Sequence, residues 1–164
     1  MNMQNDGSDR PTVRAITRTD LPALKTVVAS TGLFPPEMLD DMTASFLGEG
    51  EAADRWLTLD AGESVAVAYF APERLTSGTW NLYLIAVRAD RQSQGYGALL
   101  LDHIERDLAA RGERVLIVET SELPAFERTR TFYERCGYER EARIRDFYQA
   151  GEDKIVFWKS LRSR

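Results

Sequence analysis

The sequence predicts an α+β fold: a mixed, largely antiparallel sheet of about six to seven strands with helices on both faces. Three observations predict it. Short segments with alternating or continuous apolar character recur along the chain and read as strands. Four other segments carry apolar residues at helical spacing between start and stop signals. Three meandering strands precede a strand–helix–strand unit, an order that mixes pairing directions within one sheet.

The elements follow in order. Thr12–Thr17 (TVRAIT) alternates as a strand. Asp20 is placed to cap a helix through LPALKTVVAST, with Pro22 suited to its first turn and Gly32 to its end. Pro35 and Pro36 open a second helix, PEMLDDMTASFL. There Met38, Met42 and Phe46 share a face, and Glu37, Asp40 and Asp41 lie early, where the helix dipole favours acids. RWLTLD and SVAVAYF are strands joined by the turn Asp60-Ala61-Gly62-Glu63. Thr79–Val87 (TWNLYLIAV) is apolar on both faces and reads as a central, covered strand. A glycine-rich turn and a helix come next, with Leu100, Leu101, Ile104 and Leu108 on one face and Arg111-Gly112 closing it. Arg114–Glu119 (RVLIVE) is another buried strand, PAFERTRTFYERCG a shorter helix ending at Gly137. YEREARIRDFY and DKIVFWKSL form a last hairpin around Ala150-Gly151-Glu152. No repeat or linker interrupts this order, so residues 11–164 are expected to form a single domain behind a frayed tail, residues 1–10.

Composition narrows the function. The chain has 164 residues, of which 43% are hydrophobic, enough for one sizeable core. A formal net charge of −5 argues against nucleic acid and suits an amine-bearing partner. The lone cysteine, Cys136, rules out an internal disulfide, and the lone histidine, His103, rules out a multi-histidine metal site. MNMQNDGSDR lacks the apolar centre of a signal peptide, and no run approaches the roughly 18 apolar residues of a membrane span. These features lead us to expect a soluble cytoplasmic protein with no metal and no membrane partner.

The most informative stretch is Arg91–Glu105, RQSQGYGALLLDHIE. Glycine weakens a helix interior, yet two glycines open this one. A helix N-terminus has unpaired N–H groups and partial positive charge, and a turn without side chains admits an anion to that backbone. Gly95 and Gly97 therefore fit a phosphate held by the amides of Gln94 to Ala98, with Gln92 or Arg91 adding a side-chain contact. The plain alternative is a tight strand-to-helix turn with no ligand. A P-loop would need Gly-Lys-Ser/Thr, where this chain has Gly97-Ala98-Leu99. A dinucleotide fingerprint would need a third glycine where Leu100 stands, in an early βαβ unit.

Gln92-Ser93-Gln94-Gly95-Tyr96-Gly97, five residues beyond a strand ending in Ala86-Val87, resembles the acyl-CoA-binding motif of the GCN5-related N-acetyltransferases. Phe132-Tyr133-Glu134-Arg135-Cys136-Gly137-Tyr138 resembles that family's late aromatic segment, and the element order matches its fold from about Thr12 to Leu161. The resemblance implies the acyl-CoA N-acyltransferase fold, with acetyl-CoA as co-substrate and no metal. It implies that the central strand and its neighbour splay, and that pantetheine pairs with the backbone of Ile85, Ala86 and Val87. The pyrophosphate would lie on Gln92, Ser93, Gln94, Gly95, Tyr96, Gly97 and Ala98. One N–H of the Ile85–Val87 segment would polarise the thioester carbonyl.

Acetyl transfer to an amine then needs a proton acceptor for the ammonium and a proton donor for the departing thiolate. Tyr133 matches the family tyrosine and is the candidate acid; otherwise it is a packed aromatic with its hydroxyl at the surface. Glu119, closing VLIVE at the mouth of the expected splay, is the candidate base; otherwise it is a solvated strand-end carboxylate. Glu122 and Asp146 are fallbacks, and a water chain is another route. The spacing from Glu119 to Tyr133 is about two residues longer than in relatives that acetylate proteins. The segment Ser121–Ala125 lacks the asparagine by which many relatives contact pantetheine.

Cys136 and His103 read as ordinary residues, and Trp56, Trp80 and Trp158 as packing. Asn81 and Tyr83 share a face of the central strand and could line the acceptor side. Arg143–Tyr148 resembles a segment that shapes the acceptor cleft in relatives acting on protein N-termini, or else forms an edge hairpin. The expected activity is N-acetyl transfer to a primary amine: a peptide terminus, a lysine or a small molecule. The rival is a non-catalytic acyl-CoA-binding sensor of the same fold. The resemblance also allows a homodimer through the last strands.

Overall fold

The computed structural model describes residues 10–162; the expected tail lies outside the described residues except for Arg10. The chain folds as β1 (Thr12–Ala15), α1 (Leu21–Thr31), α2 (Met38–Leu47), β2 (Arg55–Asp60), β3 (Ser64–Pro72), β4 (Thr79–Val87), α3 (Tyr96–Ala110), β5 (Val115–Ser121), α4 (Glu127–Arg135), β6 (Glu139–Gln149) and β7 (Glu152–Ser160). This is the order the sequence predicts. The strands form one sheet, ordered β1-β2-β3-β4-β5-β7-β6. All neighbours run antiparallel except β4 and β5, which the α3 crossover makes parallel.

Two apolar clusters, one on each sheet face, hold the helices. On one face Leu100, Leu101, Ile104 and Leu108 of α3 and Tyr133 of α4 meet Trp80, Leu82, Leu116, Val118 and Phe157. On the other, Leu24, Val27 and Val28 of α1 and Leu39 of α2 meet Trp56, Val67, Leu84 and Ala86. Fully burying one such side chain stabilises the fold by about 1.5–3 kcal/mol. The sheet is therefore covered on both faces across β2 to β4, while β6, an edge strand, is exposed along its length.

One departure from regular pairing creates the site. β4 and β5 are paired only from Thr79↔Val115 to Leu82↔Val118, after which the parallel ladder ends. On its other edge β4 stays paired with β3 as far as Ala66↔Val87, with a bulge between Tyr69 and Phe70 that leaves Tyr83 as the extra residue. The bulge preserves the inward pattern: Leu82 packs against α3 before it and Ile85 after it.

Several local expectations change. Asp20 does not cap α1 with its side chain. It lies 8% exposed and accepts two bonds from the Arg14 guanidinium, each 2.8 Å, one from the Thr17 N–H at 2.7 Å and one from Ser64 Oγ at 3.1 Å. It therefore stitches β1 to β3, and Arg14 carries the network on to Asp60 of β2 at 3.0 Å. In α2 the fully buried positions are Leu39 and Thr43, while Met38 is half exposed, so the face turned inward is rotated from the one Met38 marks. Strand β5 runs through Ser121, two residues beyond the expected end. Pro124–Phe126 forms a 3-10 turn ahead of α4 rather than its first α-turn.

Candidate active site

The opened edge of β4 is the first component. The Arg88 N–H donates to Val65 O, toward β3, at 2.9 Å. Backbone groups alternate along a strand, so Ala86 also faces β3, while Ile85 and Val87 face the gap beside β5. The Gln92 side-chain amide donates to Val87 O at 3.0 Å and pins the following turn to the strand end. The Ile85 backbone and the Val87 N–H remain available to a chain laid in the gap.

The turn is the second component. Ser93 (φ +62°) and Gly95 (φ +81°) take left-handed conformations, so the chain reverses into α3 within a few residues. A Cβ at Gly95 would meet nothing within 4 Å, so this side of the turn is open. None of the N–H groups from Gln94 to Ala98 donates to a described residue; the first α-helical bond is Leu99 N–H to Gly95 O at 3.0 Å. The two glycines have different reasons. A Cβ at Gly97 would lie 3.3 Å from Phe132 Cζ, so that glycine lets α4 pack against the start of α3.

Turn, strand edge and α4 enclose a cavity of about 760 Å³. Ile85, Val87, Gln92, Ser93, Gly95, Tyr96, Gly97 and Ala98 line it, as does Tyr133; Ala86 and Gln94 do not. Arg91, Arg128 and Arg135 line it as well, and Arg128 is steadied by a 2.7 Å bond to Ser93 Oγ. Free N–H groups, an open strand edge and three guanidinium groups suit an elongated anionic ligand with a diphosphate at one end. The residues thus fit coenzyme A.

Tyr133 stands at the inner wall. It is 4% exposed, packed against Phe132, Tyr138 and Phe157. Its hydroxyl has no hydrogen-bond partner among the described residues. Burial, with a smaller contribution from neighbouring Cys136, holds its pKa well above the usual tyrosine value. The phenol keeps its proton and has no competing acceptor.

Glu119 lies on the opposite face of the sheet. It alternates with Val118, which packs on Tyr133's side, and it is the first β5 residue beyond the last β4 pair. Its carboxylate pairs with the Lys154 ammonium at 3.1 Å. Lys154, on β7, is 6% exposed, and its Nζ sits 3.6 Å from the centroid of the Phe147 ring. The sequence marks Phe147 within the segment Arg143–Tyr148 but does not single out Lys154. The pairing depends on the β5–β7 register, Ser121↔Lys154 and Glu119↔Val156, which a single sequence does not display.

The same face carries Tyr83, 51% exposed, stacked on Tyr69 at 5.5 Å, which stacks in turn on Trp56 at 4.4 Å. The Tyr83 hydroxyl and the Asn81 amide both donate to Glu73 Oε1, at 3.1 and 2.8 Å. The fallback carboxylates have structural partners: Glu122 pairs with Arg143 at 3.0 Å, and Asp146 accepts the Gly151 N–H at 2.8 Å. Arg130, 7% exposed, donates to Ser121 O at 2.7 Å and Leu123 O at 3.0 Å, fixing the segment that lacks the asparagine. Cys136 lines the cavity wall as a free thiol whose pKa burial raises, which keeps it from nucleophilic duty. His103 lies apart, in a shallow hollow between α3 and β1.

A splayed parallel strand pair, an N–H-lined turn and a buried phenol in one cavity define an acyl-transfer enzyme. Residues 52–140 match the acetyltransferase (GNAT) domain family. An acetyltransferase structure assigned to the GNAT family, from Desulfovibrio desulfuricans, superposes with a TM-score of 0.86 and 34% identity over 93% of this chain and 99% of that one. The ribosomal-protein-S18-alanine N-acetyltransferase structure from Escherichia coli superposes at 0.73 with 26% identity over 94% and 96%. The [ribosomal protein bS18]-alanine N-acetyltransferase of E. coli K12 is 29% identical over 148 residues, 88% of this chain and 94% of that protein. The chain belongs to the GNAT acetyltransferase family.

Proposed function

We propose that this protein transfers the acetyl group of acetyl-CoA directly to a primary amine, in the cytoplasm and with no covalent enzyme intermediate. The observation that carries the reading is the joining of β4's open edge, the free N–H groups of the turn and the unpartnered Tyr133 hydroxyl in one cavity. When bound, acetyl-CoA supplies an acetyl thioester. The Ile85 and Val87 N–H groups face the gap in which such a thioester would lie, and a donor there stabilises negative charge developing on the carbonyl oxygen.

The amine nitrogen forms the new C–N bond as the C–S bond breaks. On the other face the ammonium first gives one proton to Glu119, directly or through water, which frees the amine to attack; Tyr133 delivers its proton to the leaving sulfur, and the second N–H proton, shed as the amide forms, returns to the phenol through water. Placement of Tyr133 and Glu119 on opposite faces of the splay supports this division of labour: the amine approaches from the α1 side while the thiol is protonated from the α4 side. The relatives that act on an alanine of a ribosomal protein favour a protein amine among the acceptors.

The test is to incubate purified protein with acetyl-CoA and a panel of peptide and small-molecule amines, reading free thiol. Thiol release that depends on both acetyl-CoA and an amine is expected. Failure of acetyl-CoA to bind in a calorimetric titration would falsify the proposal.

A further inference from the structure

The acceptor face holds two carboxylates close to the splay, and they differ in one respect. Glu119 is neutralised by Lys154. Glu73 is held by two neutral donors, Asn81 Nδ2 and the Tyr83 hydroxyl, both on Oε1, and among the described residues it has no cationic partner. A half-buried carboxylate without a counter-ion is a site for a positive charge.

Two further features point to a ligand at the same place. Asn81 is 1% exposed, and among the described residues its Oδ1 has no hydrogen-bond donor. A buried amide oxygen left unpaired is costly, and it belongs to the same amide whose Nδ2 donates to Glu73 Oε1 at 2.8 Å. Tyr83 is the second feature. It is the outer ring of a three-ring stack whose inner members fix its plane, and it is half exposed. A rigid phenol surface next to a carboxylate is a platform for an alkylammonium or guanidinium group.

We infer that Glu73, Asn81 and Tyr83 form a subsite for a second cationic group on the acceptor, so that preferred acceptors are primary amines carrying another positive charge. The inference rests on the acetyl-transfer reading above. The bulged Tyr83 marks where β4 and β5 part, so its ring links Glu73 to the place where the reacting amine meets the thioester. The charge could belong to a small diamine or to a basic side chain near a peptide's reacting amine; the chemistry at Glu73 is the same.

The experiment compares matched acceptors at saturating acetyl-CoA: 1,4-diaminobutane against butylamine, and a peptide with arginine near its N-terminus against its norleucine counterpart. In at least one pair the cationic member is expected to show about tenfold or higher kcat/KM, mainly through KM, since one charge-assisted contact is worth roughly that much. Which pair shows it identifies the source of the charge. Glu73→Gln is expected to bring that ratio close to one, and Glu73→Asp to restore part of it. In parallel, calorimetry titrates 1,4-diaminobutane and the arginine peptide into both proteins, with CoA binding as the check on folding. At least one of the two is expected to bind Glu73→Gln about tenfold more weakly. Equal kcat/KM within both pairs, with acetyl transfer evident, overturns the subsite while the proposed activity stands. If no acceptor turns over, the titrations decide, and unchanged affinity in Glu73→Gln overturns it. Loss of acetyl-CoA binding in the wild type would instead strike the activity itself.

Discussion

At position 133 the phenol is enclosed by Phe132, Tyr138 and Phe157, and burial keeps its proton in place. That is the state a general acid needs throughout the neutral range. Tyr133→Phe is expected to lower kcat about 10²-fold or more while acetyl-CoA affinity, by calorimetry, stays within about twofold. Because the pKa is raised, the wild-type rate should show no alkaline loss from this group up to the ordinary tyrosine value near 10; a pH–rate profile reads this directly. On the other face, Glu119 and Lys154 form an ion pair. Glu119→Gln and Lys154→Met are each expected to lower kcat/KM about tenfold. The double variant should be little worse than either single, a coupling on the order of 1 kcal/mol in a double-mutant cycle. Tyr133 was proposed from its place in FYERCGY and Glu119 from its place at the end of VLIVE. Lys154 was not, because its role arises only when β7 is laid beside β5 in one register.

The start of α3 shows how an element is shaped by two demands at once. Gly95 meets the backbone's demand for a left-handed residue, and Gly97 makes room for Phe132 of α4. Gly97→Ala presses a Cβ on the Phe132 ring, which must give by a few tenths of an ångström, and is expected to cost about 1 kcal/mol by urea denaturation, with weaker acetyl-CoA binding because Phe132 lines the cavity. The apolar run TWNLYLIAV, the leucine face of α3 and the closing Gly112 made these elements readable, and their order alone implied the β4–α3–β5 crossover. The bulge at Tyr83 was not readable: it is a property of how β3 and β4 pair, and no residue type there demands it. The rotated face of α2 escaped for a related reason. Met38, Met42 and Phe46 mark a plausible stripe, but tertiary packing chose Leu39 and Thr43. The two-residue extension of β5 follows from its long pairing with β7, a partner nearly forty residues downstream.

The whole molecule must hold a sheet that is deliberately unpaired in its middle. The β4–β5 ladder stops after four residue pairs, so the two halves of the sheet are joined there mainly by the packing of α3 and α4. The half containing β1 to β4 has its own polar tie in Asp20, which gathers Arg14, Thr17 and Ser64, while Arg14 reaches Asp60. The Arg14 guanidinium beside it, reinforced by the Thr17 and Ser64 donors, holds the Asp20 carboxyl well below the usual carboxylate range. A carboxylate whose pKa is depressed on folding adds stability at every pH above its unfolded value near 4. That stability drains away as the pH falls below it, because the unfolded chain then binds the proton more readily. Asp20→Asn should therefore lower stability at pH 7 by about 2–3 kcal/mol, the scale for a buried charged hydrogen-bond network losing one member. Urea unfolding followed by circular dichroism at pH 7 and pH 3 provides the measurement. The gap between wild type and variant should be narrower at pH 3, where the wild-type advantage has begun to drain. A gap that is equal at the two values would mean that Asp20 acts through packing and not through its charge.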